Sequence, residues 1–228
     1  MVRLRYLGHA AFELRGEGAV ILVDPFLKGN PAASAAPEDF DKVDYIFVTH
    51  GHGDHIGDTA EIAARTGATV VSNHELSHYF GRQGLKCHSM HIGGSFNFPF
   101  GRVKMTVALH GSDIEEDGRM IPGGNPCGFL FDMGGVKVYH AGDTGLTMDM
   151  QLLAPEAVDV ALLPIGGNYV MDVKDAARAA EFIKPRTVVP IHYDTFPVIK
   201  ADPGEFAALV GDRVKVVTMK SGETLEVS

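Results

Sequence analysis

Short segments in which apolar residues alternate with polar ones, or follow each other without a break, recur along the whole chain. Such segments indicate β-strands, because successive side chains of a strand point to opposite faces of its sheet. The predicted strands lie at 2–7, 10–15, 19–23, 45–48, 69–72, 102–109, 128–133, 136–140, 159–163, 187–190, 214–218 and 223–227. Strands are therefore expected to dominate the fold.

Other segments have the periodicity of about 3.6 residues that is typical of helices. They lie at 58–66, 74–82, 146–153, 172–183 and 203–210. Asp172 and Asp202 are predicted N-caps of the last two, since a carboxylate at that position accepts from free backbone N–H groups. Helices and strands thus alternate along most of the chain.

The order of these elements predicts the fold class. Tight turns join the first strands, which favours antiparallel pairing, and parallel crossovers alone cannot account for such a start. We predict an α/β (α+β) protein that forms a four-layer αββα sandwich. In this arrangement two mixed sheets face each other and helices cover both outer faces.

Length and composition favour one domain over residues 1–228. The chain is 45% hydrophobic and 21% charged, close to the average of globular proteins. The segment 28–41, rich in alanine and proline, is predicted to be a surface loop. The glycine-rich segment 111–128 is predicted to be a loop that lines a site.

Apolar segments, cysteine content and net charge indicate the cellular location and the kinds of partner. No apolar segment has the length of a signal peptide or a membrane span, so we expect a cytoplasmic protein without a membrane partner. Cys87 and Cys127 are too few for a disulfide framework, and both are predicted to be buried thiols. A net charge of −9 opposes binding to nucleic acid, whose phosphates require lysine and arginine.

Histidine is the informative excess, with eleven in the sequence. Three of them, His50, His52 and His55, lie with Asp54 in the six residues 50–55, shortly after the predicted strand 45–48. Alternate residues of an extended backbone share a side, so His50 and His52 can converge on one ion. Asp54 and His55 then face a second ion. Packing offers little reason to concentrate such groups, and we predict a metal site.

This run, with the sequence HGHGDH, resembles the metal-binding motif of the metallo-β-lactamase superfamily, and the resemblance extends over essentially the whole chain. Four further segments, at 7–12, 23–26, 141–145 and 190–193, have the sequences LGHAAF, VDPF, AGDTG and PIHY. They look like the branch of uncharacterised metal-dependent hydrolases of the UPF0173 type, which is related to ascorbate-6-phosphate lactonase. The resemblance implies a hydrolase with a two-metal site.

The resemblance also implies the remaining ligands. His110 follows the predicted strand 102–109 and fits the histidine that the superfamily places in the middle of its chain. Asp143, in a glycine-flanked turn, resembles the bridging aspartate of the family, and His192 follows the predicted strand 187–190. The implied site has one ion on His50, His52 and His110, a second on Asp54, His55 and His192, and Asp143 shared between them.

The other histidines have structural interpretations. His74 and His78 lie at helical spacing. His88 and His91 flank polar residues and are predicted to lie in a loop that meets solvent. His140 alternates with two valines and is predicted to be packed on the inward face of its strand.

Several residues are candidates for roles around the ions. Asp54 is predicted to orient the attacking water and to take its proton. His9 is a candidate general acid, with a turn histidine as the alternative reading. Asp24 is a candidate acceptor that orients a ligating imidazole, or a simple turn initiator. Asn168 and Tyr193 are candidate substrate contacts.

The expected cofactors are two divalent ions, zinc in the first place, with manganese or iron as alternatives. The expected partner is a small ester, lactone or phosphodiester, and two cations would favour an anionic one. The frequency of symmetric assemblies among soluble proteins favours a homo-oligomer, with no particular number of subunits. An iron-dependent redox enzyme and a nuclease are the alternative functions, although the acidic balance opposes the latter. A metal-binding protein without turnover is disfavoured by the complete ligand set.

Overall fold

The computed structural model describes residues 1–228 and is built mainly from β-strands. The strands are β1 (Val2–Gly8), β2 (Ala11–Gly16), β3 (Ala19–Val23), β4 (Tyr45–Phe47), β5 (Thr69–Asn73), β6 (Cys87–Met90), β7 (Ser95–Phe98), β8 (Gly101–Val107), β9 (Ile114–Glu116), β10 (Arg119–Ile121), β11 (Cys127–Met133), β12 (Val136–His140), β13 (Val160–Pro164), β14 (Thr187–Ile191), β15 (Lys215–Val216) and β16 (Thr224–Val227).

Two mixed seven-stranded sheets account for all strands except β9 and β10, which pair as a separate hairpin. The first sheet has the order β16-β1-β2-β3-β4-β5-β6 and the second the order β15-β14-β13-β12-β11-β8-β7. β1, β2 and β3 pair antiparallel across tight connections, whereas β3 to β6 and β12 to β15 pair parallel. Parallel neighbours need a longer crossover, which helices supply in most cases.

Helices lie between the strands. The α-helices are α1 (Gly53–Ile56), α2 (Thr59–Thr66), α3 (His74–Arg82), α4 (Val173–Ile183) and α5 (Pro203–Val210), and 3-10 turns lie at Pro37–Asp39, Met148–Glu156, Pro197–Ile199 and Gly211–Arg213. The side chains of Asp172 and Asp202 accept backbone N–H groups at the starts of α4 and α5, which confirms both predicted N-caps. None of the helices combines the length and the apolar character that crossing a bilayer requires.

The buried side chains form three layers of core. The largest cluster, of 27 buried residues, lies between the sheets and includes Phe47, Phe129 and Phe131. A cluster of 18 packs the second sheet against α4 and α5, and one of 15 packs the first sheet against α2 and α3. This confirms the predicted four-layer αββα sandwich.

Several local predictions were wrong. His88 lies in β6 rather than in a solvent-exposed loop, and its ring packs 4.3 and 5.0 Å from the rings of Phe96 and Phe98 in β7. Cys87 is half-buried rather than buried, whereas Cys127 is buried as predicted. β6 and β7 each form one edge of a sheet, and neither was predicted as a strand. β6 has no apolar alternation, whereas Ser95 to Phe98 in β7 alternate, which was the signal that could have revealed this strand.

Two other segments also differ from the prediction. The segment predicted as a loop at 111–128 contains β9 and β10, joined by a turn at Asp117 and Gly118, which have φ of 51° and 71°. An Asp-Gly pair favours such a hairpin turn and was the signal that could have revealed it. The predicted helix at 146–153 is instead the 3-10 segment Met148–Glu156, which contains Pro155. Proline lacks the N–H that an α-helix interior needs.

One edge of the sandwich collects the ends of strands from both sheets. Asp24 follows β3, His50 lies just beyond β4, Asp143 follows β12 and His192 follows β14. These strands belong to the parallel parts of their sheets, where carboxyl ends meet at the same edge. The topology therefore brings residues from distant parts of the sequence to one place.

Candidate metal centre

A first group of imidazoles consists of His50, His52 and His110. His52 Nδ1 lies 3.1 Å from His50 Nε2 and 3.2 Å from His110 Nε2. A tetrahedral zinc ion with bonds of about 2.0–2.1 Å would place its nitrogen ligands about 3.3 Å apart. Burial lowers the pKa of all three histidines, which favours the neutral form that binds metal.

A second group consists of His9, Asp54, His55 and His192, whose donor atoms all lie within 4.8 Å of one another. Asp54 and His55 lie on α1, a single turn that begins directly after His52. Asp54 Oδ2 is 3.2 Å from His9 Nε2 and 3.9 Å from His192 Nε2. The structure thus places three predicted ligands of the second ion together and adds His9 to them.

Asp143 lies between the two groups. Its Oδ1 is 3.2 Å from His55 Nε2, and its Oδ2 is 3.0 Å from His192 Nε2 and 3.5 Å from His110 Nε2. The carboxylate therefore approaches ligand candidates on both sides, the position that the predicted bridging role requires.

Unpartnered polar atoms in this region test whether a metal fits. His55 Nε2, Asp143 Oδ1 and both ring nitrogens of His192 are buried and form no contact with hydrogen-bond geometry, although His55 Nε2 and His192 Nε2 lie within 3.2 Å of the Asp143 carboxylate. Native proteins rarely leave buried polar atoms unsatisfied. Coordination to a cation would satisfy the unpartnered atoms that face the centre, so the donor set fits a metal.

Asp24 and Thr49 orient two of the imidazoles. Asp24 Oδ2 lies 2.8 Å from His55 Nδ1 and accepts the Thr49 hydroxyl at 2.7 Å. Because that hydroxyl donates to Asp24, it must accept from His50 Nδ1, which lies 2.9 Å away. Hydrogen bonds of this kind turn the Nε2 lone pairs of His50 and His55 towards the metal groups. Sequence reasoning identified Asp24 as a candidate but missed Thr49.

His55 has a distinctive electrostatic environment. Burial alone lowers the pKa of its imidazole, but the two buried carboxylates of Asp143 and Asp24 outweigh burial and raise the pKa well above its ordinary value. A cation at this position therefore competes with a proton for Nε2.

His9 is held tightly beside Asp54. Its backbone has a φ of 61°, and its carbonyl oxygen accepts from the Tyr6 hydroxyl at 3.0 Å and from the His192 backbone N–H at 2.8 Å. Its Nδ1 lies 2.9 Å from Thr195 Oγ1. Burial lowers the pKa of His9 to about 4, so the imidazole is neutral at physiological pH.

Other candidate residues lie outside the two groups. Asn168 is exposed and Tyr193 packs against the core cluster beneath α4, and neither side chain hydrogen-bonds to a predicted ligand. His140 is buried, with Nε2 2.9 Å from the carbonyl oxygen of Ala10 and Nδ1 accepting from the Gly142 backbone N–H at 3.1 Å. As predicted, His140 is packed, and it ties together the loops that carry His9 and Asp143.

Gly51 shows why the motif needs glycine at this position. A Cβ atom at Gly51 would collide with the carbonyl oxygen of Ser112, whose hydroxyl accepts from the Gly51 backbone N–H at 3.1 Å. The loop that carries His110 can therefore lie directly against the metal motif. This contact brings His52 and His110 together.

A family model of the β-lactamase superfamily domain matches residues 3–192. The chain belongs to the metallo-β-lactamase superfamily. A UPF0173 metal-dependent hydrolase of Alkaliphilus metalliredigens is 53% identical over 206 residues, which cover 90% of this chain and 91% of the relative. Another, from a Geobacillus species, is 48% identical over 227 residues, covering 99% and 100%.

A solved structure agrees with these relatives. Igni18, described as a metallo hydrolase of the archaeon Ignicoccus hospitalis, is 40% identical and superimposes with a TM-score of 0.90 over 100% of this chain and 99% of that one. These comparisons confirm the predicted UPF0173 family, the metallo-β-lactamase fold and the enzyme class of metal-dependent hydrolase.

Proposed function

We propose that this UPF0173 member hydrolyses a small ester, lactone or phosphodiester at a site that holds two divalent metal ions. The position of Asp143 carries the proposal, because its two oxygens approach ligand candidates of both groups. A carboxylate in that position is suited to share its charge between two cations. Three imidazole nitrogens at near-tetrahedral spacing favour zinc, with manganese and iron as alternatives.

The ions would supply the electrophilic part of the reaction. When bound, such cations bring the pKa of a coordinated water to about 7 and polarise a carbonyl or phosphoryl oxygen. The residues that would hold them are His50, His52 and His110 for the first, Asp54, His55 and His192 for the second, and Asp143 for both.

Asp54 is suited to take a proton from the attacking water. Its side chain is 30% exposed, whereas the side chains of His9, His55 and His192 are almost fully buried, so Asp54 borders the open side of the group. Burial raises the pKa of Asp54, but its hydrogen bond with His9 and the nearby charge of His55 hold the pKa below its usual range. The carboxylate is therefore ionised at neutral pH. Because its low pKa makes it a weak base, it would take a proton only from a water that bound cations have made more acidic.

His9 is suited to exchange a proton with Asp54. A neutral imidazole carries its proton on only one nitrogen. The tautomer with that proton on Nε2 requires the Thr195 hydroxyl to donate to His9 Nδ1, 2.9 Å away, rather than to the Tyr193 carbonyl oxygen, 3.4 Å away. Nε2 faces Asp54 Oδ2 at 3.2 Å. From there His9 can fix the orientation of Asp54 and deliver a proton towards a leaving group.

Replacing Thr195 by valine is expected to impair both this arrangement and the fold. The substitution removes the hydroxyl and leaves the buried His9 Nδ1 without a partner, which costs about 1–3 kcal/mol of unfolding free energy. We expect kcat/KM to fall by roughly 10–100-fold, the range typical of lost partners around a metal site. Denaturant unfolding and steady-state kinetics measure the two effects. Thr195→Ser should restore both, and a serine variant as impaired as the valine variant would contradict the assignment.

Metal analysis and a substrate screen test the proposed function. Protein purified without added metal should contain about two equivalents by elemental analysis, as expected for a two-metal site. Metal-loaded protein should then cleave small chromogenic esters, lactones or phosphodiesters, and the His52→Ala variant should not. Structured RNA and single-stranded DNA are tested as alternative substrates in the same screen. Efficient cleavage of these polymers with all small compounds untouched would replace the proposal with a nuclease.

A further inference from the structure

Aromatic side chains flank the second metal group. The rings of Phe26 and Phe196 lie 5.9 and 5.5 Å from the ring of His9, and 6.5 Å from each other. Both residues are half-buried and lie beside His9, whose Nε2 is 3.2 Å from Asp54 Oδ2. The proposed proton-transfer residues therefore have an apolar wall next to them.

An exposed apolar side chain also lies on the loop that carries His110, and its Cδ2 atom approaches Gly145 in the loop that carries Asp143. Leu109 directly precedes His110 and is 64% exposed. Its backbone is fixed, since its N–H donates to Thr144 Oγ1 at 2.9 Å and its carbonyl oxygen accepts from the Gly145 N–H at 3.0 Å. A single exposed leucine is common on protein surfaces, but on a fixed ligand-bearing loop it can form part of a binding surface together with other apolar groups.

Two more ligand-bearing or adjacent loops expose apolar groups. Val198 is 56% exposed, a few residues after His192, and Tyr169 is 57% exposed in the glycine-rich segment 166–169. Gly166 of that segment packs against Ile199 and the carbonyl oxygen of His192, which joins the two loops. The loops that carry Val198 and Tyr169 therefore lie against each other.

Cationic side chains are scarce in the same region. The ion-pair partners of Asp54 and Asp143 are all histidines. The loops at 24–30, 109–114, 143–149, 166–171 and 192–199 contain one lysine, Lys28, and no arginine, and the exposed Lys200 follows directly after the last of them. Lys28 hydrogen-bonds to both carboxylate oxygens of Glu61 and pairs with Glu38. These loops therefore offer no free cation for a charged substituent, which proteins usually recognise with arginine or lysine.

We propose that the substrate is an uncharged carboxylic ester or lactone whose apolar group binds between the Phe26–Phe196 pair and Leu109. This inference rests on the proposed hydrolase function and replaces the anionic substrate that two cations alone would suggest. In the reaction, water adds its oxygen to the acyl carbon and the acyl C–O bond breaks. One water proton goes to the leaving alkoxide. An ester gives an alcohol and a carboxylic acid, a lactone gives a single hydroxy acid, and the acid ionises in water.

A chain-length series tests the proposal in metal-loaded protein. The p-nitrophenyl esters of acetate, butyrate and hexanoate differ only in apolar length, and the mono-p-nitrophenyl ester of succinate replaces the end of the chain by a carboxylate. We expect kcat/KM to rise by up to roughly fourfold for each methylene that leaves water. The succinate ester should react at least about tenfold more slowly than butyrate. A flat series, or a preference for succinate, would overturn the proposal.

Substitution of Leu109 tests the location of the binding surface. Leu109→Arg should abolish the preference for hexanoate and favour the succinate ester, with metal content unchanged. The matched control is Leu209→Arg on α5, where the leucine is 40% exposed and is remote in sequence from every ligand. Phe196→Ala should lower kcat/KM for hexanoate more than for acetate. Unchanged chain-length preference in both site variants would place the binding surface elsewhere.

Further measurements separate the ester proposal from three alternatives: a phosphodiester substrate, a protein without hydrolase activity and a subunit contact. Hydrolysis of bis-p-nitrophenyl phosphate alone would preserve the proposed hydrolase function and overturn the ester inference. If metal-loaded wild-type protein hydrolysed none of the compounds, the hydrolase function would be overturned. Ligand-observed NMR with hexanamide would then still support the apolar surface if the wild-type protein bound hexanamide and the Leu109→Arg variant did not. If Leu109→Arg instead dissociated an oligomer in light scattering and left ester preference unchanged, the surface would be a subunit contact and the proposal would be wrong.

Discussion

Replacing His50 by alanine should remove about one equivalent of metal and nearly all hydrolysis. His50 is the one imidazole that belongs both to the first group and to the set formed with His55 and Asp143. The loss in kcat/KM should exceed the roughly 10–100-fold that follows removal of a ligand's hydrogen-bond partner. His50 is also fully buried, and its loss leaves the Thr49 hydroxyl without one partner, so unfolding free energy should fall by about 1–3 kcal/mol.

His52→Ala separates the effect on metal from the effect on the fold. His52 is half-buried and bonds only within the first group, so its loss should affect coordination equally and stability less. His78→Ala on the exposed face of α3 is the matched histidine control and should change neither quantity. Elemental analysis and denaturant unfolding of the three variants measure the outcome. Full metal content in both His50→Ala and His52→Ala would mean that the site is wrongly assigned.

Local spacing explains which parts of this site could be predicted from the residues themselves. His50 and His52 alternate along an extended segment, and their nitrogens meet as that alternation requires. His110, Asp143 and His192 carry no local signal of comparable strength. Each was assigned through the family resemblance, and the sheet topology explains why that assignment brings them to the same edge.

The residues that were missed are ordinary hydroxyls whose roles depend on long-range contacts. Thr195 lies 186 positions from His9 in the sequence, yet the two side chains form a hydrogen bond. Thr49 follows β4 and orients His50 only because its hydroxyl donates to Asp24, which follows the neighbouring strand β3. Periodicity cannot encode such pairs, since they exist only after the two sheets have packed. The edge strand β6 was missed because its residues Cys87 to Met90 do not alternate between polar and apolar. β7 does alternate over Ser95 to Phe98, but a pattern of four residues is short.

Asp143→Asn should weaken the binding of both metal ions together. The change keeps the size of the side chain but removes a negative charge that approaches His55, His110 and His192. Two divalent cations held close together repel each other, and a shared carboxylate offsets part of that repulsion. We expect the dissociation constants of both ions to rise by at least about tenfold, which corresponds to about 1.4 kcal/mol each.

Competition titrations with a chromogenic chelator measure the two dissociation constants. Two further carboxylate-to-amide variants serve as controls. Asp54→Asn alters a residue of the second group alone, so it should weaken one ion and leave the other near its wild-type affinity. Asp149→Asn makes the same chemical change at an exposed position outside the metal groups and should weaken neither. If Asp143→Asn behaved like Asp54→Asn, with one ion still bound at wild-type affinity, Asp143 would be a ligand of a single ion. The loss of both affinities in Asp143→Asn alone is the result that only a shared carboxylate explains, because no other residue of the centre approaches ligand candidates of both groups through separate oxygens.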